Sequence, residues 1–373
     1  MDHVLETACR IISQADRQHP ADAVLRETFK RLRVLTADET REISDAVFTY
    51  FRWRGFLDTG KPLQDQMREA WRLAAQFRKD SASFSADSLK AKSVPDWAGA
   101  EVDAADDWFR TLQQAPNLWL RAKRGRGDGL ADKLVPAIAG PLPDAVLYKG
   151  AEDLFRTPEF HGGEFELQDI SSQAVGFICE PKPGETWWDA CAGEGGKLLH
   201  LSDLMENKGL IWASDRSERR LKQLKRRTAR AEAFNYRAVP WNGDAKLPTK
   251  TKFDGVLVDA PCSGVGTWQR NPHARWTTGL EDVKELGALQ KRLLTNVAPS
   301  VKPGGKLIYA VCTLTKSETV AVAESFAEQF ADFKPMEVRN PVKPDALGAS
   351  QIWIWPQDGG GNGMFVACWR RNS

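Results

Sequence analysis

Apolar residues in the N-terminal part of the chain recur every three or four positions, which is the spacing of amphipathic helices. The recurring positions are Val4, Leu5, Ala8, Ile11, Ile12, Val24, Leu25, Phe29 and Leu32. Thr36 and Glu39 have the spacing of a capping box, which predicts a helix start there. The face that follows comprises Ile43, Ala46, Val47, Tyr50 and Phe51. Residues 1–80 are therefore predicted to form a helical domain.

The next part of the chain has weaker patterns. Ser81 to Pro95 is rich in Ser, Ala, Asp and Lys and has few apolar residues, so it is predicted to be a linker or exposed loop. From Trp97 to about Gly163, short apolar runs are interrupted by Gly and Pro. Residues 81–165 are accordingly predicted to contain a linker and a small α+β unit.

From Gln168 onward, predicted strands alternate with helical stretches, as in βαβ units of a parallel sheet. The predicted strands are Thr186 to Asp189, Gly209 to Asp215, Gly255 to Asp259 and Lys306 to Val311. The expected fold class is α/β, with a doubly wound Rossmann-like domain over residues 166–373. In such sheets the ligand lies at the carboxyl ends of the strands.

Composition adds limits to this picture. The apolar fraction of 42% and the charged fraction of 27% are typical of a folded soluble protein, and 52 Lys and Arg against 50 Asp and Glu make any nucleic-acid contact depend on local patches. Six cysteines occur without a Cys-x-x-Cys pair, so no metal site is expected. Neither a signal peptide nor a run of ~18 apolar residues is apparent, and we expect a cytoplasmic protein with reduced thiols and no membrane partner.

A glycine-rich run follows the first predicted strand and opens a helix: Asp189-Ala-Cys191-Ala192-Gly193-Glu194-Gly195-Gly196-Lys197. A plain strand-to-helix turn would look similar, but Asp215 ends the next strand about 20 residues on, where a ribose-binding carboxylate is expected. The glycine spacing differs from that of dinucleotide-binding loops, and Asp189 suits an adenosine that carries an amino acid. S-adenosylmethionine is therefore the expected cofactor. Asp244 is a candidate acceptor for the adenine amino group, or an ordinary turn residue.

Two cysteines follow two other predicted strands, in Asp259-Ala-Pro261-Cys262-Ser-Gly264 and in Tyr309-Ala-Val-Cys312-Thr313. Buried cysteines are common, but two at strand ends beside a cofactor loop favour chemistry. A thiolate that adds to carbon 6 of a pyrimidine makes carbon 5 nucleophilic enough to accept a methyl group. One cysteine would be that nucleophile, the other would serve elimination, and Asp259 would stabilise the charge on the ring.

With these motifs the chain resembles the RsmB/Sun family of RNA 5-methylcytosine methyltransferases from about Ala21 to the C-terminus. Further matching segments are Gly266-Thr-Trp-Gln-Arg270-Asn-Pro272, Phe165-Glu-Leu-Gln168-Asp169, Leu118-Trp-Leu-Arg121 and Gly363-Met-Phe365-Val-Ala367. The resemblance implies that Cys312 is the nucleophile and that Cys262 helps to release the product; Cys262 as nucleophile is the alternative. It also assigns the cofactor site to Cys191 through Lys197, Asp215, Asp244 and Asp259, to which we add Arg220. Glu194 departs from the family, which usually has Pro there, and Val311 and Thr313 stand where Thr and Ser are common.

The resemblance implies an RNA substrate, and several basic and aromatic residues are candidates for holding it. A predicted helix carries Arg216, Arg219, Arg220, Lys222, Lys225, Arg226, Arg227 and Arg230, and a glycine-rich loop carries Lys123, Arg124 and Arg126. Trp268, Arg270 and Trp276 are either nucleotide-stacking or buried residues. The target cytosine must leave its stack, so single-stranded or opened RNA is expected.

The helices over Val24 to Arg54 resemble the NusB-like RNA-binding domain of bacterial members, which points to ribosomal RNA. Transfer RNA is the alternative substrate. A catalytically silent RNA-binding or ribosome-assembly factor and a nitrogen or oxygen methyltransferase are the competing functions, and the pair Cys262 and Cys312 argues against both.

Overall fold

The N-terminal apolar stripes form the core of a helical unit in the computed structural model, which describes residues 2–32 and 35–373. Thr36 and Glu39 form the predicted capping box, with the Thr36 hydroxyl accepting from the Glu39 amide at 3.1 Å. The predicted face from Ile43 to Phe51 is buried. The helices are α1 (Asp2–Gln14), α2 (Ala21–Arg31), α3 (Ala37–Trp53), α4 (Leu63–Lys79), α5 (Ala86–Lys92), α6 (Ala98–Glu101) and α7 (Asp106–Thr111).

The segment from Ser81 to Pro95 is packed, in contrast to the exposed linker predicted for it. It contains α5 and buries Phe84, Leu89 and Val94. The Arg110 guanidinium donates to the carbonyl groups of Ser81 and Phe84. Three correctly spaced apolar residues outweigh the polar composition of this segment.

Residues 117–167 form a four-stranded antiparallel sheet in the order β2-β3-β1-β4. Its strands are β1 (Leu118–Ala122), β2 (Ala137–Ala139), β3 (Ala145–Tyr148) and β4 (Phe165–Leu167), accompanied by α8 (Gly127–Lys133) and α9 (Pro158–His161). Arg121 donates to Gln168 at 2.7 Å and to Asp203 at 2.8 Å. The segments Leu118 to Arg121 and Phe165 to Asp169, two of those that carry the family resemblance, therefore have a structural role.

An eight-stranded sheet follows, in the order β10-β12-β9-β8-β5-β6-β7, with β11 paired to β12. The strands β9, β8, β5, β6 and β7 are parallel, which confirms the predicted doubly wound Rossmann-like fold. The strands are β5 (Thr186–Asp189), β6 (Leu210–Asp215), β7 (Tyr236–Pro240), β8 (Phe253–Asp259), β9 (Val301–Val311), β10 (Phe333–Pro335), β11 (Gln351–Ile354) and β12 (Met364–Arg371). The remaining helices are α10 (Ile170–Cys179), α11 (Gly196–Leu204), α12 (Glu218–Arg230), α13 (Ala274–Thr277), α14 (Leu280–Val297), α15 (Val320–Gln329) and α16 (Pro356–Gly359).

The chain divides into two compact units, one of residues 1–116 and 267–282 and one of residues 117–266 and 283–373. This division differs from the predicted boundaries at residues 80 and 165. Arg275 explains why 267–282 belongs with the helices: its fully buried guanidinium donates to the carbonyl groups of Arg52, Ser93, Leu112 and Trp268 at 2.9–3.3 Å. Over the described ranges, the helices lack the length and apolarity needed to cross a membrane.

Candidate active site

A cleft of about 660 Å³ lies at the carboxyl ends of β5, β6, β8 and β9, where a parallel sheet places its ligands. Its size is in the range of small-molecule cofactor sites. The predicted residues that line it are Cys191, Ala192, Gly193, Glu194, Gly196, Lys197, Asp215, Arg220, Asp259, Cys262 and Cys312. The topology thus brings together residues that are far apart in the chain.

The glycine-rich loop between β5 and α11 leaves room for a ligand at its backbone. Gly193 has φ 54°, a conformation that favours glycine, and a Cβ atom at Gly193 or Gly196 would meet nothing within 4 Å. The Gly193 amide donates to one oxygen of Asp215 at 3.0 Å, and the Ser217 amide donates to the other at 2.7 Å. This fixed carboxylate at the end of β6 fits the ribose of an adenosine cofactor.

Two predicted cofactor residues, Gly195 and Asp244, are not among those lining the cleft. Gly195 caps α11 with φ 87° and approaches Leu224, so it shapes the turn. The Asp244 side chain is exposed, and its carbonyl group accepts from the Trp241 indole at 3.1 Å. Trp241 itself lines the cleft, and the sequence analysis missed it.

Lys197 and Asp259 form an ion pair of 2.7 Å in the cleft. Burial lowers the pKa of Lys197, but the Asp259 carboxylate outweighs burial and the net shift is upward, so Lys197 is charged at neutral pH. The second Asp259 oxygen makes no hydrogen bond to any described residue and remains available to a ligand. The pair therefore presents one free acceptor beside a fixed positive charge.

The two cysteines predicted to be catalytic lie side by side, with 3.3 Å between their sulfur atoms. The hydrogen bond from Cys262 lowers the pKa of Cys312; Lys197 also lowers it, while burial and Asp259 oppose the shift. The pKa of Cys262 is raised well above its usual value by the same hydrogen bond and by burial. These directions make Cys312 the more acidic thiol of the pair.

Cys191 is a third thiol on the cleft, and its surroundings separate it from the other two. Burial raises its pKa well above the usual value, and the carboxylates of Asp189, Asp259 and Asp215 add to the rise. A thiol held in this state is a poor nucleophile, because the thiolate is the reactive form. The electrostatics of the cleft therefore single out Cys312.

A buried carboxylate, Glu318, ties together the loops that carry the two cysteines, and the sequence analysis missed it. Its oxygens accept from the Ser263 amide at 2.8 Å, from the Ser263 hydroxyl, and from the hydroxyls of Thr313 and Thr315 at 3.1 and 2.8 Å. Gln290 donates to it at 3.0 Å. Only the pairing of β8 with β9 makes these loops neighbours, so no local pattern could have identified it.

The predicted RNA-contacting residues fall into two groups. Trp268 is fully buried against Trp97 and Trp108, and the Trp276 indole donates to the Phe51 carbonyl at 2.6 Å, so both are structural. Arg227 and Arg230 are held by Glu166, and Lys123 and Arg124 pair with Glu232 and Glu206. Exposed cations without an ion pair among the described residues remain on and before α12, namely Arg216, Arg219, Arg220, Lys222, Lys225 and Arg226.

Residues 177–370 match the model of the family described as 16S rRNA methyltransferase RsmB/F. A relative from Bacillus subtilis (strain 168), called probable ribosomal RNA small subunit methyltransferase B, is 34% identical over 74% of this chain, and the match spans 65% of that relative's length. The crystal structure of PH0851 superposes with a TM-score of 0.78 at 25% identity and covers 98% of both chains. NSun6 from Pyrococcus horikoshii, solved with SFG, an analogue of S-adenosylmethionine, gives a TM-score of 0.53 at 25% identity over 62% of this chain and 60% of that one.

Proposed function

Because the chain belongs to the 16S rRNA methyltransferase RsmB/F family, whose methyl donor is S-adenosylmethionine, we propose that it methylates carbon 5 of a cytosine in ribosomal RNA. The observation that carries the proposal is the pair of thiols 3.3 Å apart on the cofactor cleft. Methylation of nitrogen or oxygen needs no cysteine, whereas carbon 5 is unreactive until a nucleophile adds to carbon 6. The pair is therefore best explained by chemistry at carbon 5.

In this mechanism the Cys312 thiolate forms the bond to carbon 6, and the electron pair of the carbon 5–carbon 6 double bond becomes available at carbon 5. The free oxygen of Asp259 holds the base, and Lys197 stabilises the negative charge that builds on the ring. The glycine-rich loop and Asp215 would hold S-adenosylmethionine, which would supply the methyl group and leave as S-adenosylhomocysteine. The remaining cofactor contacts are assigned to Cys191, Ala192, Gly193, Glu194, Gly196 and Arg220.

Release requires that the proton on carbon 5 leave, that the double bond form again and that the carbon–sulfur electron pair return to Cys312. Cys262 is the residue placed to accept this proton, because the hydrogen bond with Cys312 that raises its pKa is lost once Cys312 is bound to the base, and Cys262 can then release its own thiol proton to solvent. The proposal assigns Cys262 to this step. The opposite assignment would require Cys262 to be the thiolate, against the direction of both pKa shifts.

The RNA would be held at the exposed cations of α12 and of the turn before it, from Arg216 to Arg226. Arg216 and Arg220 line the cleft itself, so phosphate groups bound here would lie next to the cofactor. A cytosine reaches Cys312 only if it leaves its stack, which favours a single-stranded or opened region as the substrate.

The test is to trap the covalent adduct. Wild type, Cys262→Ala, Cys312→Ala and the control Cys9→Ala, a cysteine of the helical unit, are incubated with S-adenosylmethionine and ribosomal RNA and run on a denaturing gel. An RNA-linked band only with Cys262→Ala supports the two-cysteine mechanism, because addition proceeds and release does not. A band only with Cys312→Ala exchanges the roles. No band, together with no methylation by wild type, would overturn the proposal for ribosomal RNA, and the same assay with transfer RNA tests the alternative substrate.

A further inference from the structure

The helical unit contains a second cavity, of about 920 Å³, which lies entirely within residues 1–116 and 267–282. Its charged lining consists of three arginines, Arg52, Arg78 and Arg270, and two aspartates, Asp22 and Asp45. Asp22 already pairs with Arg26 at 2.6 Å. The cavity is therefore lined by an excess of positive charge.

Arg52 is the unusual member of this set. Its side chain is only 8% exposed, its Nε atom is buried without a hydrogen-bond partner, and the guanidinium makes no ion pair with any described residue. Burial lowers the pKa of Arg52 to about 10 although the charge of Asp45 on the same cavity opposes the shift, and Arg52 is still charged at neutral pH. A buried guanidinium whose Nε–H has no acceptor and whose only nearby acid among the described residues makes no direct ion pair is costly to folding, so its retention calls for an explanation.

Arg275 of the same unit shows how a structural buried arginine is satisfied. Its guanidinium donates to four carbonyl groups, whereas Arg52 contributes only its backbone carbonyl to that arrangement. Burial and the charge of Arg52 together lower the pKa of Arg275 to about 9. The two guanidinium groups repel each other, and an anion beside Arg52 would relieve this repulsion.

A second buried polar atom on the cavity also lacks a partner. Gln113 is 5% exposed and donates to Ser93 at 2.7 Å, but its carboxamide oxygen makes no hydrogen bond. An unsatisfied donor and an unsatisfied acceptor on one cavity match a ligand that carries both an anionic group and a hydroxyl. A ribose phosphate has both groups.

We propose that this cavity binds a phosphodiester of the RNA substrate, with Arg52 as the buried ligand and Arg78 and Arg270 at its exposed rim. The inference rests on the proposed function for the identity of the ligand. It adds a site in the helical unit to the cleft in which methyl transfer takes place.

The test measures binding of single-stranded ribosomal RNA fragments to the full chain by fluorescence anisotropy at several salt concentrations. Arg52→Met should weaken binding about tenfold and reduce the slope of log K against log salt by about 0.7, the value for one lost phosphate contact on a single strand. Arg52→Lys should recover part of the affinity, and Asp45→Asn should strengthen binding. The control Arg72→Met removes an exposed arginine of α4 that pairs with Glu69 and does not line the cavity, and it should leave the slope unchanged.

Thermal unfolding of the same variants separates binding from folding. Arg52→Met should unfold at the same temperature as wild type or higher, because it removes a buried guanidinium whose desolvation outweighs its attraction to Asp45. Unchanged affinity and slope, or an affinity loss accompanied by a lower unfolding temperature, would overturn the proposal. The adduct assay is scored independently of the binding assay. If RNA adducts form but Arg52→Met binds RNA like wild type, the proposed function stands and the proposed cavity site is rejected. If Arg52→Met weakens RNA binding but no adduct forms, the cavity site stands and the proposed function is rejected.

Discussion

Lys197 in the cleft and Arg52 in the helical unit are both buried cations, yet of the two only Lys197 forms a hydrogen-bonded ion pair with a described residue, whereas Arg52 interacts with Asp45 at longer range. Lys197 pairs with Asp259 at 2.7 Å, and this pair lies next to the thiols. The Nε atom of Arg52 is buried without an acceptor. The charges of the cleft are fixed before any substrate binds, as expected for electrostatic preorganisation, whereas our proposal assigns the charge of Arg52 to a ligand.

The comparison teaches that burial alone does not reveal the role of a charge. Arg275 is even more buried than Lys197 and serves the fold through four carbonyl groups. We assign the roles by what each cation contacts: Lys197 to the reaction because it pairs with a carboxylate beside the thiols, Arg275 to the fold because it bonds to backbone carbonyls, and Arg52 to binding because its guanidinium makes no hydrogen bond to a described residue. Each of these assignments can be tested by a substitution of the residue concerned.

The largest effect is expected for Lys197→Met. Asp259 loses its counter-ion and Cys312 loses a charge that lowers its pKa, so methyl transfer should fall by about 10²–10³-fold. The pH at which the single-turnover rate rises should move upward, because a higher pH is needed to form the thiolate. Lys197→Arg keeps the charge and should retain more of the rate. A loss below tenfold with an unchanged pH profile would contradict the catalytic role of the pair.

Next in size is the difference between Arg275→Met and Arg52→Met in stability. Removing Arg275 leaves four buried carbonyl groups without their donor and should cost roughly 3 kcal/mol of unfolding free energy. Removing Arg52 should cost nothing. Denaturant unfolding followed by tryptophan fluorescence measures both, since Trp53, Trp108 and Trp268 lie buried in the helical unit. If both variants lose the same unfolding free energy, Arg52 and Arg275 do not differ in their structural role.

Asp189 extends the comparison from buried cations to a buried acid. It lies at the start of the glycine-rich loop, and neither of its carboxyl oxygens has a hydrogen bond of normal geometry. Its pKa is raised to about 8, mainly by burial and also by Asp259, while Lys197 opposes the rise. The folded chain therefore keeps a proton that the unfolded chain loses near pH 4, and stability falls as the pH rises from about 4 to 8. Asp189→Asn lacks this loss, so its stability relative to wild type should grow by about 3 kcal/mol from pH 5 to pH 7. Urea midpoints at both pH values measure the change, and a constant difference would show that Asp189 is ionised in the folded chain.

The cleft could be predicted from sequence because its residues follow strands with strong apolar patterns. The end of each predicted strand is correct: Asp189, Asp215, Asp259 and Val311 are the last residues of β5, β6, β8 and β9. The parallel sheet places these ends at one edge, and the pairing of β8 with β9 makes Cys262 and Cys312 neighbours. Their spacing of 3.3 Å and the direction of the pKa shifts needed the structure.

What could not be predicted depends on contacts between distant segments. Arg275 donates to backbone carbonyl groups, and because every residue has one, no residue type in the sequence marks these acceptors. The membership of residues 267–282 in the helical unit could therefore not be predicted. Arg52 lies in an ordinary helical pattern, and the burial of its Nε atom without a hydrogen-bond acceptor is a property of the packed unit. Composition also made Ser81 to Pro95 look like a linker, although its few apolar residues are buried.

The smallest effect is expected for Glu318→Gln, which tests whether the carboxylate between the two cysteine loops positions them. Glutamine keeps the shape of the side chain but replaces one acceptor oxygen by a donor NH₂ group. In wild type the carboxylate accepts from the Ser263 amide and from the hydroxyls of Thr313 and Thr315, so the new donor would face other donors. The hydroxyls can rotate, so the loss should be limited to about tenfold in the methyl-transfer rate, or ~1.4 kcal/mol.

A positioning role predicts that this loss occurs without a shift of the pH profile, because Glu318 holds the loops and does not set the charge of Cys312. The variant should also give less RNA adduct in the Cys262→Ala background, since addition depends on where Cys312 lies. Glu324→Gln, an exposed position on α15, is the matched control and should behave as wild type. If Glu318→Gln lowers stability while the rate per folded molecule is unchanged, Glu318 serves the fold alone, and the geometry of the thiol pair is then set by the strands that carry it.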